Sequence, residues 1–115
     1  MIEQLDALIE AVEAGTATVT TCDDAFPNAH NFEHSYALSA YRGSLDAALA
    51  LHAALLPGWS WSANGDTHAG QTGYSAAAHP PSTCDESVFC DAATAARALL
   101  LATLKAYRTT LEATP

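Results

Sequence analysis

The stretch SLDAALALHAALLPGWSWSANGD, Ser44 to Asp66, changes its period halfway along. Ser44 is a good helix N-cap, and Asp46 lies in the first turn, where the helix dipole favours an acid. Leu45, Leu49, His52, Leu55 and Leu56 then share one face at helical spacing. Pro57-Gly58 stops that helix. Beyond it, Trp59 and Trp61 alternate with Ser60 and Ser62, the two-residue period of a strand. That alternation predicts one tryptophan on the core and one at the surface, where it would be a good binding anchor. Asn64-Gly65 is a hairpin signal, with a returning strand expected over Thr67 to Ala77 that Gly70 and Gly73 weaken. A helix followed by a hairpin makes the class α+β.

Working outward, residues 2–14 read as an amphipathic helix, with Ile2, Leu5, Leu8, Ile9 and Val12 on one arc and Gly15 as its stop. Thr16 to Thr21, TATVTT, is rich in β-branched residues and reads as a short strand. Asp23 to Asn31 reads as loop, and Phe32 to Tyr41 fits either a strand or a helical turn. Pro80-Pro81 opens a connector. A last helix is expected from about Asp91 to Thr110, with Ala92, Ala96, Leu99, Leu100, Leu104, Tyr107 and Leu111 in register. The expectation is one domain over residues 1–115, a small antiparallel sheet packed with about three helices, an α/β sandwich.

Half of the 115 residues are hydrophobic, enough for a core, although much of that fraction is alanine, which buries little area. The leucine, isoleucine, valine and aromatic positions are therefore expected to carry the core. No apolar run reaches bilayer length. The first residues carry acids where a secretion signal needs basic residues, so the chain is read as cytoplasmic. Cys22, Cys84 and Cys90 are then reduced thiols, and a Cys84–Cys90 bridge would close only a short loop.

Thirteen acids face only four basic residues, a net charge of −9. Arg97, Lys105 and Arg108 lie in the C-terminal segment, so residues 1–92 hold twelve acids and Arg42 alone among the cations. Such a surface repels nucleic acid and anionic membranes and favours a basic protein partner. Glu3, Asp6, Glu10 and Glu13 are spaced three, four and three apart, which lines four carboxylates along one stripe of the first helix. Asp23 and Asp24 extend the candidate partner-binding set. Averaged over the expected surface, −9 is about six-fold sparser than duplex DNA, so imitation of DNA would need the acids clustered.

Motifs for catalysis are weak. His30 and His34 are four apart, but Pro27 argues against a helix there, and neither HExxH nor a zinc cysteine spacing is present. His52 reads as a hydrogen-bonded core residue. Asp66 and His68 flank the expected turn without a nucleophile motif. No catalytic residue, metal or cofactor is expected, and the chain reads as a binding protein.

Three segments carry a resemblance: LDALIEAVEAG at Leu5 to Gly15, YRGSLDAALALHAALLPGWSW at Tyr41 to Trp61, and AATAARALLLATLKAY at Ala92 to Tyr107. Together they resemble small accessory proteins of alphaproteobacterial phages and prophages, akin to the phage ABA-sandwich domain group, over about half the chain. The resemblance implies a small sheet flanked by helices and no catalytic residues. It also implies inhibition of a host defence, as in an anti-CRISPR protein aimed at a type I surveillance complex in the host cytoplasm, with no direct contact to nucleic acid. Such an inhibitor would act as a monomer or a small homo-oligomer. The alternatives are a phage assembly accessory that binds another phage protein, and a small hydrolase using His68 with Asp66 or the His30–His34 pair.

Overall fold

A computed structural model describes residues 2–26, 33–66, 73–81 and 87–113. Their order is α1 (Ile2–Ala14), α2 (Val19–Ala25), α3 (Glu33–Tyr41), α4 (Leu45–Leu55), β1 (Ser60–Asp66), β2 (Gly73–His79), β3 (Val88–Ala92) and α5 (Ala95–Ala113). The class is α+β, as the sequence indicates, but with five helices rather than about three.

The additional helices come from Thr16 to Tyr41, which read as a short strand, a loop, and then either a strand or a helical turn. Thr16 to Thr21 is not a strand. Thr18 caps α2, its hydroxyl accepting from the Thr21 amide at 3.3 Å while the Thr18 amide donates to Thr21 Oγ1 at 2.8 Å. This reciprocal pair satisfies free donors at the helix start. Burial of Cys22, Ala25 and Phe26 then outweighs the strand preference of the β-branched residues.

α1 ends as expected. Gly15 has φ +76°, its amide bonds the Val12 carbonyl at 3.2 Å, and the Thr16 amide bonds that of Ala11 at 2.8 Å. This is a Schellman cap, and its left-handed residue favours glycine. Gly43, at φ +110°, repeats the motif after α3. Ser44 completes that cap through its amide and opens α4 by accepting from the Ala47 amide at 3.2 Å. One tripeptide thus turns α3 directly into α4.

The sheet is an antiparallel meander in the order β1-β2-β3. Ser60 pairs with His79, Ala63 with Ala76, and Ala76 with Cys90. β1 continues through Asn64-Gly65 to Asp66, so that dipeptide is strand and not turn. A two-residue turn there would end pairing at Ala63, whereas the register runs on to Asp66↔Gly73. Asp91 and Ala92 belong to β3, and the last helix starts later than expected, at Ala95, where Thr94 Oγ1 accepts from the Arg97 amide at 3.1 Å. Arg97 therefore lies in the first turn of α5.

α5 organises the molecule. It is the helix that packs on all three strands, and it also packs against α1, α3 and α4. Enclosed on both sides, it buries the contiguous run Ala98 to Leu104, as a helix inside a layered fold must. Alanine contributes more than its area suggests. Ala98, Ala102 and Ala106 on α5, Ala76 and Ala78 on β2, and Ala37, Ala40 and Ala48 on the outer helices are all buried. Small side chains let α5 lie close to both layers, where dispersion contacts are dense.

On α4 the buried face is rotated from the expected one: Ala47, Ala48, Leu51 and His52 point inward, and Leu45 is exposed. Trp59 packs on the core, while Trp61 is 44% exposed. The alternation does not separate them, because residues two apart share a face; Trp61 lies on edge strand β1, opposite Ala78. Cys22 and Cys90 are buried free thiols; Cys84 lies outside the described residues.

Candidate functional site

α1 presents its four carboxylates in two pairs. Asp6 and Glu13 turn towards α5. Arg108 grips Asp6 with two nitrogens, Nη2 reaching Oδ2 at 3.2 Å and Nε reaching Oδ1, and it also holds Glu112. Lys105 meets Glu13 at 3.4 Å. These partners lie about a hundred residues along the chain, so reading α1 alone leaves its stripe uncompensated. Glu3 and Glu10 are exposed and make no ion pair among the described residues. They are seven residues apart, about 10.5 Å along the axis.

Asp23 and Asp24 are exposed on the last turn of α2. Acids there oppose the helix dipole, a small cost. Among the described residues, no cation stands within ion-pair distance of Glu3, Glu10, Asp23 or Asp24. The cations are committed elsewhere. Arg97 stacks on the Tyr41 ring at 4.3 Å and donates from Nη2 to the Tyr41 carbonyl at 3.2 Å. With Lys105 and Arg108 in ion pairs, Arg42 is the exposed basic residue that remains.

The other candidates are dispersed. His34 is half-buried on α3; His30 and His68 lie outside the described residues, and the side chain of Asp66 is not described. Among the described residues no three potential metal ligands come together. His52 is buried and hydrogen-bonds to the Ser60 backbone, as a core histidine should, but its Nε2 is left without a partner. Burial lowers its pKa.

Sequence reasoning missed a row on the sheet face turned away from α5. His79 Nε2 lies 3.0 Å from Ser62 Oγ, and its Nδ1 lies 2.8 Å from Ser87 Oγ. Phe89 packs edge-on against the imidazole at 5.9 Å and is 72% exposed. The signal was present in the alternation, which puts Ser62 on the face opposite the tryptophans and leaves His79 as the polar end of an alanine strand. The row can hold a proton between hydroxyls, but no described carboxylate supports it.

No family model, no curated protein and no solved structure matches this chain. Among the described residues, no helix is long and apolar enough to cross a membrane.

Proposed function

We propose that this protein is a non-catalytic inhibitor that docks exposed acids of α1 and α2 on a basic surface of a protein partner. The carrying observation is the partition of charge. Three of the four cations are tied to internal partners, whereas Glu3, Glu10, Asp23 and Asp24 stand exposed without a counter-ion among the described residues. Uncompensated acids speed encounter with a cationic surface and disfavour anionic ones. Asp6 and Glu13 belong to the fold's internal ion pairs, so the binding set narrows to the other four.

Wholesale imitation of duplex DNA is not the mode. The exposed surface is 6467 Å² for a net charge of −9, about 720 Å² per charge. A duplex carries one charge per about 110 Å². Docking needs only a local patch facing a cationic channel. The resemblance to small phage accessory proteins supports the narrower reading of an anti-CRISPR protein that blocks DNA loading by a type I surveillance complex.

A gel-shift titration of such a complex on its target DNA tests this. The wild-type protein is expected to suppress the shift stoichiometrically. The variant Glu3→Lys/Glu10→Lys/Asp23→Lys/Asp24→Lys should lose at least about tenfold in potency while keeping the helical spectrum. Equal potency of the two proteins would remove these acids from the interface, and no suppression by either would reject the partner.

A further inference from the structure

The imidazole and the two hydroxyls on the sheet face turned away from α5 stand in the order that a nucleophile, its base and an orienting group require. Ser62 is on β1, His79 ends β2, and Ser87 immediately precedes β3. Ser62 pairs with Ala77, and Val88 pairs with Ala78, so the three side chains come from adjacent segments of one sheet. Ser62 Oγ lies 3.0 Å from His79 Nε2, and His79 Nδ1 lies 2.8 Å from Ser87 Oγ. A hydroxyl within hydrogen-bond reach of a base that a third group orients is the diagnostic arrangement of an activated nucleophile.

A neutral imidazole donates from one ring nitrogen and accepts at the other. With the proton on Nδ1, Ser87 accepts it, and Nε2 is left to accept from the Ser62 hydroxyl. Ser62 is held within the β1–β2 ladder, which fixes the approach of its Oγ, whereas Ser87 lies just outside the β2–β3 ladder. A hydroxyl orients the ring but brings no negative charge to stabilise the imidazolium, as a carboxylate would. Such a base suits acyl donors with a good leaving group and not amides. Phe89, 72% exposed and 5.9 Å from the imidazole, offers an apolar surface to the acyl chain.

We propose that Ser62 is an acyl-acceptor nucleophile for activated carboxylic esters, with His79 as its general base and Ser87 as the positioning residue. Aryl esters and thioesters are the donor class. Ser62 Oγ bonds to the acyl carbon while its proton passes to His79 Nε2. The bond from that carbon to the leaving oxygen or sulfur breaks, and Nε2 returns the proton to the leaving group. The product is an alkyl ester of Ser62. Its alkoxide leaves less readily than an aryl oxide or a thiolate, so acylation outruns hydrolysis and the acyl-serine accumulates. The step modifies the chain once and is separate from the exposed acids Glu3, Glu10, Asp23 and Asp24, so its failure would leave the docking proposal intact.

The probe is p-nitrophenyl acetate, incubated with the full chain at mildly alkaline pH. Release of p-nitrophenol should show a burst that approaches one equivalent, and peptide mapping by mass spectrometry should place an acetyl group on Ser62. The burst should vanish in Ser62→Ala. Labelling of Ser62 should slow at least about a hundredfold in His79→Gln and in the urea-unfolded chain. Ser87→Ala should slow it at least about tenfold, and Ser87→Thr, which keeps the acceptor, should restore it. Melting temperatures verify that the variants fold, and the wild-type peptide map stands without them. A map with no acetyl group on Ser62 overturns the proposal, as does equal labelling of Ser62 in the wild type and His79→Gln. Acetylation of Ser87 in place of Ser62 overturns the assignment of the nucleophile.

Discussion

At the scale of single residues, His52 shows how burial sets a protonation state. The ring is 3% exposed, and desolvation lowers its pKa from the ordinary 6.5, with the Ser60 backbone hydrogen bond opposing. The native state therefore prefers the neutral imidazole. Between the lowered folded value and 6.5 the unfolded chain binds more protons, so stability rises with pH across that window. The contribution is fully present above 6.5 and is lost as pH falls through the folded value. Urea unfolding should accordingly show a loss of stability from about pH 6.5 downward in the wild type and a smaller loss in His52→Gln. Histidines common to both proteins cancel in the comparison. Identical slopes would assign the acid sensitivity to other groups. Burial acts in the same sense on Cys22, whose thiol is pushed up to about 11, chiefly by desolvation and further by Asp23, with Arg42 opposing. It is a structural thiol with little thiolate at neutral pH.

At the scale of elements, α5 decides the stability. Leu100 is fully buried in a helix enclosed on both sides, whereas Leu45, at the start of α4, is exposed. Both residues lie on apolar positions at helical spacing, so periodicity alone ranks them equally. Leu100→Ala should cost about 2–5 kcal/mol, from lost transfer energy plus the cavity. Leu45→Ala should cost less than about 1 kcal/mol. Chemical unfolding of the two variants measures the difference, and equal losses would show that α5 is not enclosed. The same contrast explains which elements were legible. α1 could be read because one arc of it is buried and its stop is a left-handed glycine, both local facts. α2 could not, because its β-branched residues are overruled by a threonine capping pair and by packing of Phe26 against Tyr107, ring centres 6.5 Å apart. The burial of α5 on two sides depends on how two layers meet, and no spacing rule contains that. The acidic stripe was visible on α1, but its division into paired and free carboxylates depends on Arg108 and Lys105, which only the tertiary fold brings alongside.

At the scale of the whole molecule, a net charge of −9 is held within a radius of gyration of 13.3 Å. At low ionic strength, with a Debye length of about 30 Å, every charge feels the others; at 1 M salt, with about 3 Å, only contacts survive. Two like charges about 20 Å apart in water repel by roughly 0.2 kcal/mol, and nine excess charges make about 36 such pairs. Unfolding lets the charges move apart and relieves about half of that repulsion, on the order of several kcal/mol. Opposing this are the ion pairs of Arg108 and Lys105, whose members are each at least 31% exposed. Exposed pairs contribute about 0–1 kcal/mol each. Repulsion outweighs pairing, so added salt should stabilise the fold. The thermal midpoint should rise by several degrees between about 10 mM and 500 mM sodium chloride, at roughly 4–8 °C per kcal/mol for a chain near this size. The Glu3→Lys/Glu10→Lys/Asp23→Lys/Asp24→Lys protein, four charge reversals closer to neutrality, should melt higher at low salt and respond less to its addition. A wild-type midpoint that falls with salt would mean that contact pairs govern the electrostatics, and that the acids on α1 and α2 are already balanced within the fold rather than free to meet a cationic partner.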